Sequence, residues 1–211
     1  MRPIIQELTQ KFSGNDVFIV GGGASLKHFD FNKLKGKNVI ALNSAYKYVD
    51  ETAVIYWADA SWGQDEESKG LAAHPSKYKF SSRINADSMI LSNKTGLAGC
   101  NWLKKTGDYG FDPNVNNVRG NNSGAHGINF AINLGAYRIF LLGFDMGYTG
   151  SKSHFHEEYQ SSVGSSTYTE LFIPSIVSMA KDIKHIPVTI INCSISSKLT
   201  CFEFGHIKDY L

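Results

Sequence analysis

Hydrophobic residues fall along the chain mostly in short blocks rather than in helical stripes. Val17-Phe18-Ile19-Val20 ends in three glycines, Asn38-Val39-Ile40-Ala41-Leu42 ends at Asn43, and Ala53-Val54-Ile55-Tyr56-Trp57 leads to Asp59. Arg138-Ile139-Phe140-Leu141-Leu142 ends at Gly143 and Asp145, Val188-Thr189-Ile190-Ile191-Asn192 closes the series, and Ser88 to Leu91 is a weaker member. Brief, β-branched apolar runs of this kind predict strands buried on both faces, as in a parallel sheet.

Helical periodicity appears in three places. Residues 3–11 predict a short amphipathic helix. In 123–134, Ser123 can cap the start and Gly135 the end, Ala125, Ile128 and Ile132 share one face, and His126, Asn129 and Asn133 make a polar stripe. Residues 167–183 form the third, where Thr167 and Glu170 have capping-box spacing and Pro174 either kinks the helix or marks its start. Together these elements predict a single Rossmann-like α/β domain over 1–211, an open, mostly parallel sheet with helices on both faces. The polar, glycine-rich stretches 60–87, 92–122 and 146–166 read as loop or lid insertions.

Composition changes this picture little. With 211 residues, 42% of them hydrophobic, the chain suits one core, and a formal charge of +2 gives no bulk field towards nucleic acid or membrane. Lys27, Lys33, Lys35 and Lys37, with Lys104-Lys105, read as solvated faces, while leaving open an anionic acceptor such as DNA or lipopolysaccharide. Cys100, Cys193 and Cys201 form neither a disulfide framework nor a zinc knuckle. No secretory or membrane-spanning segment is read, so a cytoplasmic location is expected, with a homo-oligomer left open.

In open α/β sheets, ligands gather beyond the carboxyl ends of the strands, where the glycines, Asn43, Asp59 and Asp145 fall. Gly21-Gly22-Gly23-Ala24-Ser25 lets the backbone pass close to a phosphate, and equally reads as a tight strand-to-helix turn. Leu26 stands where a dinucleotide fingerprint needs its third glycine, no Gly-Lys-Ser/Thr follows, and Asn43 replaces the usual ribose-binding acid. A nicotinamide enzyme and a P-loop NTPase are therefore disfavoured. Among the aromatic residues, Tyr46, Tyr48 and Trp62 read as core or as stacking surfaces, and Tyr56 and Trp57 as core.

Four segments in order, Gly21 to Lys27, Ala41-Leu42-Asn43-Ser44, Ser123-Gly124 and Leu134 to Asp145, resemble the motifs G-N-G-P-S-L, C-N-Q, S-G and L-G-Y-x-x-I-x-L-x-G-x-D of small bacterial sialyltransferases. They also resemble a looser clan of motility accessory proteins, pterin pyrophosphokinase-like proteins and phage proteins. The resemblance implies a bacterial or phage glycosyltransferase that moves a sugar from a nucleotide-sugar donor, most simply a CMP-sugar. Transfer would go with inversion and without an essential metal or cofactor, to the hydroxyl of a glycan, a lipid-linked acceptor or another acceptor.

Carried onto this chain, Gly21, Gly22, Gly23 and Ser25 would lie along the nucleotide phosphate or ribose. Asn43 would contact the nucleotide, and Ser123 with the Gly124 amide would sit by cytidine or phosphate. Asp59 stands where the family has asparagine, and is expected to face the same crevice as Asn43. Tyr148, with Tyr159 behind it, answers the tyrosines near the leaving phosphate, and Arg119 the arginine before Ser-Gly. The general base would come from His154-Phe155-His156, His154 first, with His126 as the reserve; imidazole suits the work because it titrates near neutrality. Gly23→Val is expected to remove nucleotide binding without disturbing the fold. Two other readings remain: a pyrophosphokinase-like enzyme with Mg²⁺ on Asp59 and Asp145, and a non-catalytic nucleotide- or glycan-binding protein.

Overall fold

The structure, a computed structural model, describes residues 2–83, 99–147 and 164–211. Nine strands join one sheet among the described residues: β1 (Asp16–Val20), β2 (Asn38–Leu42), β3 (Val54–Trp57), β4 (Lys79–Arg83), β5 (Asn101–Lys105), β6 (Asn117–Val118), β7 (Arg138–Leu142), β8 (Thr189–Asn192) and β9 (Glu203–Phe204). Their order is β6-β5-β4-β3-β2-β1-β7-β8-β9, and every pairing is parallel. The chain walks from β1 to one edge, then returns to the other side of β1 as β7. The strand order thus reverses between β1 and β7, the place where open α/β sheets leave a crevice.

The uninterrupted apolar runs are explained by burial on both sides. Val17, Ile19, Ile40, Leu42, Ile139 and Leu141 face one core, whereas Phe18, Val20, Val39, Ala41, Phe140 and Leu142 face the other. The first core is roofed by α1 (Pro3–Phe12), α3 (Ser123–Asn133) and α4 (Ile173–Asp182). Among the described residues, the opposite face carries the short α2 (Ala60–Glu66) and several 3₁₀ turns, with Leu26, Leu34 and Ala45 packed on the strands. α1 contributes Ile5, Leu8 and Phe12, all fully buried, so the amphipathic pattern of the N-terminus is consumed by the core.

Two of the expected loop insertions contain sheet. Within 60–87 lie α2 and β4, and 92–122 supplies β5 and β6; the strand expected at Ser88 to Leu91 lies outside the described residues. These strands lack an apolar run because their polar residues find partners. The Ser81 hydroxyl donates to the Trp57 carbonyl at 2.8 Å, and Lys79 Nζ to the His74 carbonyl at 2.6 Å. Further out, β5 (Asn-Trp-Leu-Lys-Lys) buries only Leu103.

The polar stripe of α3 faces inward. His126 and Asn129 are buried, and with Asn133 they tie down the glycine- and asparagine-rich segment 106–120. Asn129 Oδ1 accepts from the Asp112 and Arg119 amides, both at 3.1 Å, and its Nδ2 donates to the Asp112 carbonyl at 2.9 Å. Asn133 adds bonds to the Asp112 and Asn114 carbonyls. His126 Nε2 pairs with the Gly120 carbonyl at 2.9 Å and Nδ1 with the Tyr56 hydroxyl at 2.8 Å. A carbonyl can only accept, so Nε2 carries the proton and Nδ1 accepts from Tyr56.

The cap of α3 is Asn122, not Ser123: its Oδ1 accepts from the Ala125 amide at 2.9 Å. Gly135 ends the helix region as expected, at φ +86°. The third helix begins differently from the expected capping box, since the Thr167 side chain makes no cap bond. A π-type turn at Tyr168–Phe172 precedes α4, whose first turn holds Pro174. Proline has no amide to give to an α-helical bond there, and the wider turn accommodates it.

Burial pushes the His126 imidazole down to about 4. The folded protein therefore holds it neutral, while the unfolded chain takes up its proton near the ordinary value of about 6.5. This contribution to stability is full above that value and is lost as pH falls towards 4. Between pH 7 and 4.5 the wild type should lose roughly 2–3 kcal/mol through this residue. Urea titrations should show a visibly flatter acid limb for His126→Gln, and NMR should place the imidazole transition near pH 4. A midpoint near 6.5 would mean that the ring is solvated.

Candidate functional site

The floor of the crevice is a backbone-to-backbone interlock of the turns after β1 and β7. The Gly21 amide donates to the Leu142 carbonyl at 2.7 Å and the Gly23 amide to the Gly143 carbonyl at 2.9 Å. A Cβ on Gly21 would stand 2.8 Å from the Gly143 oxygen, and one on Gly23 would stand 2.6 Å from both that oxygen and the Asp145 Cγ. Both glycines are thus required for packing, whatever ligand the turn meets. This corrects the expectation that Gly23→Val would spare the fold.

Ser25 completes the interlock. Its amide donates to Asp145 Oδ2 at 2.7 Å and its hydroxyl to Oδ1 at 2.5 Å, so both oxygens of a nearly buried carboxylate are engaged. Ser194, beyond β8, lies 3.4 Å from Ser25 Oγ and accepts from the Phe144 amide at 2.9 Å. Three strand ends are tied together in this way. Ser25 is turned towards Asp145, and it does not line the crevice among the described residues.

Above this floor opens a cleft of about 370 Å³. Gly21, Gly22, Gly23, Asn43, Ser123 and Gly124, distant in sequence, all line it. Asn43 closes β2 with φ +50°, a left-handed conformation that asparagine tolerates better than most residues. Its Oδ1 accepts from the Ser123 hydroxyl at 3.1 Å, and Ser123 Oγ in turn accepts from the Ala58 amide at 3.1 Å. This relay locks the ends of β2 and β3 to the start of α3. A Cβ on Gly124 would come within 2.9 Å of the Phe144 ring, so that helix seats closely on the β7 turn.

The amides of Gly22, Ser123 and Gly124 have no hydrogen-bond partner among the described residues. Those of Ser123 and Gly124 are the orphan donors that open the 11-residue α3, at the positive end of its dipole. Asp59 lines the same cleft as Asn43, as expected, and its Oδ1 also caps α2 through the Ser61 and Trp62 amides. Two aspartates, Asp59 and Asp145, line the cleft, and no lysine, arginine or histidine does so among the described residues. An anion there would meet backbone amides rather than side-chain cations.

Several lining residues carried no sequence signal. Asn121 and Asn122 form one rim: Asn122 Nδ2 donates to Asn121 Oδ1, and Asn121 Nδ2 to the Leu171 carbonyl at 2.8 Å. Tyr168 and Phe172 of the π-type turn, whose rings meet edge-on at 5.6 Å, adjoin this rim, and Met146, at φ +51°, and Gly147 also line the cleft. The wide turn brings residues four apart to the same wall. Tyr148, Tyr159, His154 and His156 lie outside the described residues. His126 is held inside the fold by Tyr56 and Gly120, and Arg119 bonds to Thr106; neither lines the cleft.

No protein-family model matches the sequence, and no curated protein matches it at a significant level. The fold does have solved counterparts. The sialyltransferase CstII from Campylobacter jejuni, in complex with the substrate analogue cytidine-5'-monophosphate, matches with a TM-score of 0.55 and 16% identity, over 91% of this chain and 85% of that one. CST-II in complex with a trisaccharide acceptor and CMP gives 0.58 and 15%, over 90% and 85%. The monofunctional α-2,3-sialyltransferase Cst-I from Campylobacter jejuni gives 0.56 and 17%, over 90% and 80%. The chain shares the fold of these bacterial sialyltransferases.

The interlock yields a test that needs no ligand. Gly23→Ala should cost about 1–3 kcal/mol through overpacking against Gly143 and Asp145. For a chain of this size that is a melting temperature lower by roughly 3–10 °C, measured by calorimetry. An unchanged melting temperature would mean that the two turns are free to separate.

Proposed function

From the sialyltransferase-like fold and the cleft at its strand-order reversal, we propose that the chain is a glycosyltransferase using a nucleotide-sugar donor, most simply a CMP-sugar. One observation carries the reading. Residues of all four ordered motifs, separated by up to about 120 positions, converge on a single cleft. The neighbours with this fold are sialyltransferases, two of them solved with CMP.

In this reading the nucleotide lies over Gly21, Gly22 and Gly23. Asn43 bonds the ribose or base, and the phosphate faces the free amides of Ser123 and Gly124. An acceptor hydroxyl gives its proton to His154 or His156, and its oxygen attacks the anomeric carbon from the face opposite the phosphate. The carbon–oxygen bond to the phosphate then breaks, and the electron pair leaves with the nucleoside monophosphate, so the sugar is inverted. The charge that grows on the departing phosphate is met by amides already in place, with tyrosine hydroxyls, Tyr148 or the cleft-lining Tyr168, as further donors.

The base is assigned to the 148–159 stretch on two grounds. None of the described histidines lines the cleft, and the resemblance puts the base in the segment after the Gly143-Phe144-Asp145 strand end. Transfer without a metal fits the carboxylates available. Asp145 spends both oxygens on Ser25, while Asp59 caps α2 through Oδ1. The acceptor is a glycan, a lipid-linked sugar or another hydroxyl compound.

Isothermal calorimetry with CMP, UDP, GDP and ATP, each with and without Mg²⁺, should show CMP binding best and independently of the metal. Preference for ATP with Mg²⁺ would replace this reading with phosphoryl transfer. Because Asn43 is left-handed, Asn43→Gly removes the amide without backbone strain and should raise the Kd for CMP about tenfold, the effect of one lost ligand hydrogen bond. An unchanged Kd would place the nucleotide elsewhere.

For catalysis, one of His154→Ala and His156→Ala should lower kcat by about 10²–10⁴ with CMP affinity preserved. Wild-type turnover in both variants would remove the pair from the chemistry.

A further inference from the structure

A buried carboxylate closes α2. Glu66, the last residue of that helix, is 4% exposed and does not line the cleft. Three donors converge on it. The Tyr46 hydroxyl donates to Oε2 at 3.1 Å, Lys47 Nζ approaches the same oxygen at 3.2 Å, and Lys69 Nζ stands 3.5 Å from Oε1. The Lys69 side chain is more than half exposed, whereas that of Lys47 is largely covered. Taking a carboxylate out of water is costly, and the ion pairs formed there return little net stability. An uncharged side chain would rest beside Tyr46 at less cost. What the carboxylate adds is direction, since apolar packing has none and hydrogen bonds constrain both distance and angle.

That direction falls on the 3₁₀ turn Asn43–Tyr48, to which Tyr46 and Lys47 belong. The turn opens at the cleft with Asn43, left-handed at φ +50°. A residue other than glycine keeps such a conformation when its surroundings over-determine it. On one side, the Ser123 hydroxyl bonds the Asn43 side chain. On the other, Glu66 takes hold of the turn by two side chains, three and four residues past Asn43. The helix from which Glu66 reaches is itself seated on β3. A Cβ on Gly63 would meet Trp57 Nε1 at 2.4 Å, and Trp62 packs edge-on against Tyr46 at 6.3 Å. Glu66 therefore grips the turn from a fixed base.

We propose that Glu66 is a positioning residue: by binding Tyr46 and Lys47 it holds the Asn43–Tyr48 turn in the one orientation that keeps Asn43 left-handed and its side chain aimed at the nucleotide. The inference rests on the nucleotide reading for what Asn43 touches, and on the Glu66 cluster for how Asn43 is held. The carboxylate itself touches no substrate. Its effect reaches the cleft only through Asn43, and that route is what an experiment can isolate.

The test is a double-mutant cycle on CMP binding to the full chain, read by calorimetry. Glu66→Gln, which keeps the shape and removes the charge, should raise the Kd for CMP about fivefold. Tyr46→Phe, which removes one of the two holds on the turn, should weaken binding in the same way. Lys69→Met, on the exposed flank of the carboxylate, should change the Kd by less than about twofold. In the Asn43→Gly background Glu66→Gln should also change it by less than about twofold, because glycine is left-handed without support and has no side chain to aim. An equal loss in both backgrounds, or an unchanged Kd in Glu66→Gln, overturns the proposal.

Should Glu66→Gln fail to fold, Tyr46→Phe carries the same cycle. Should the wild type not bind CMP, the nucleotide reading falls, and NMR without ligand decides this one separately. The ¹³Cα and ¹³Cβ shifts of Asn43 report its left-handed φ. Their movement in Glu66→Gln, with the signals of Gly21 and Gly143 unchanged, sustains the positioning role. Unmoved shifts, or equal movement at Gly21 and Gly143, overturn it.

Discussion

The turns after β1 and β7 touch backbone to backbone, and the geometry of the cleft follows from that contact. Parallel strands at a topological switch point normally diverge above the sheet, because the chain leaves one strand in each direction. Here the Gly21 and Gly23 amides reach the Leu142 and Gly143 carbonyls, which satisfies backbone groups that would otherwise be stranded at a buried strand end. The contact tolerates no Cβ at either glycine. The Asp145 carboxylate, fully engaged by Ser25, keeps the two turns from sliding past one another. A floor of main chain held by these bonds has its donors and acceptors fixed before any ligand arrives.

The walls depend on that floor through α3. Asn122 caps the helix by taking the Ala125 amide, which leaves the two earlier amides open to the cleft. Along the same helix, His126, Asn129 and Asn133 grip the 106–120 segment, so the loop that leads into the cap is fixed by the helix it precedes. Asn121 extends the grip to the Leu171 carbonyl and the Ser175 hydroxyl. The rim, the helix and the π-type turn that presents Tyr168 and Phe172 therefore behave as one packed unit.

The apolar strands were legible in sequence because both faces of the sheet are covered, so β1, β2, β3, β7 and β8 read as unbroken hydrophobic blocks. β4, β5 and β6 were not, since Ser81, Lys79 and the half-buried residues of β5 satisfy themselves by hydrogen bonding, a property that hydrophobicity does not register. Among the residues that line the candidate cleft, Gly21, Gly22, Gly23, Asn43, Asp59, Ser123 and Gly124 were legible because strand ends and helix starts are marked by glycine, small polar residues and caps. Ser25 carried the same mark, yet its hydroxyl holds the scaffold. Asn121, Asn122, Tyr168 and Phe172 reach the cleft through a folded loop and a widened helical turn, neither of which leaves a periodic trace. The inward polar stripe of α3 binds backbone groups 6 to 21 residues away, and His126 also the Tyr56 hydroxyl, partners that helical periodicity does not mark.

Among the described residues, the sheet thins out at both margins, to the two-residue strands β6 and β9. An edge strand is a template on which another chain can add itself, and its power as a template grows with the length of its unpaired ladder. A margin of two residues offers almost no ladder, and at β9 both residues, one of them Glu203, are exposed. A nine-stranded parallel sheet of this kind folds slowly, through pairings distant in sequence. Its tapered borders give the finished molecule little with which to recruit its neighbours into aggregates.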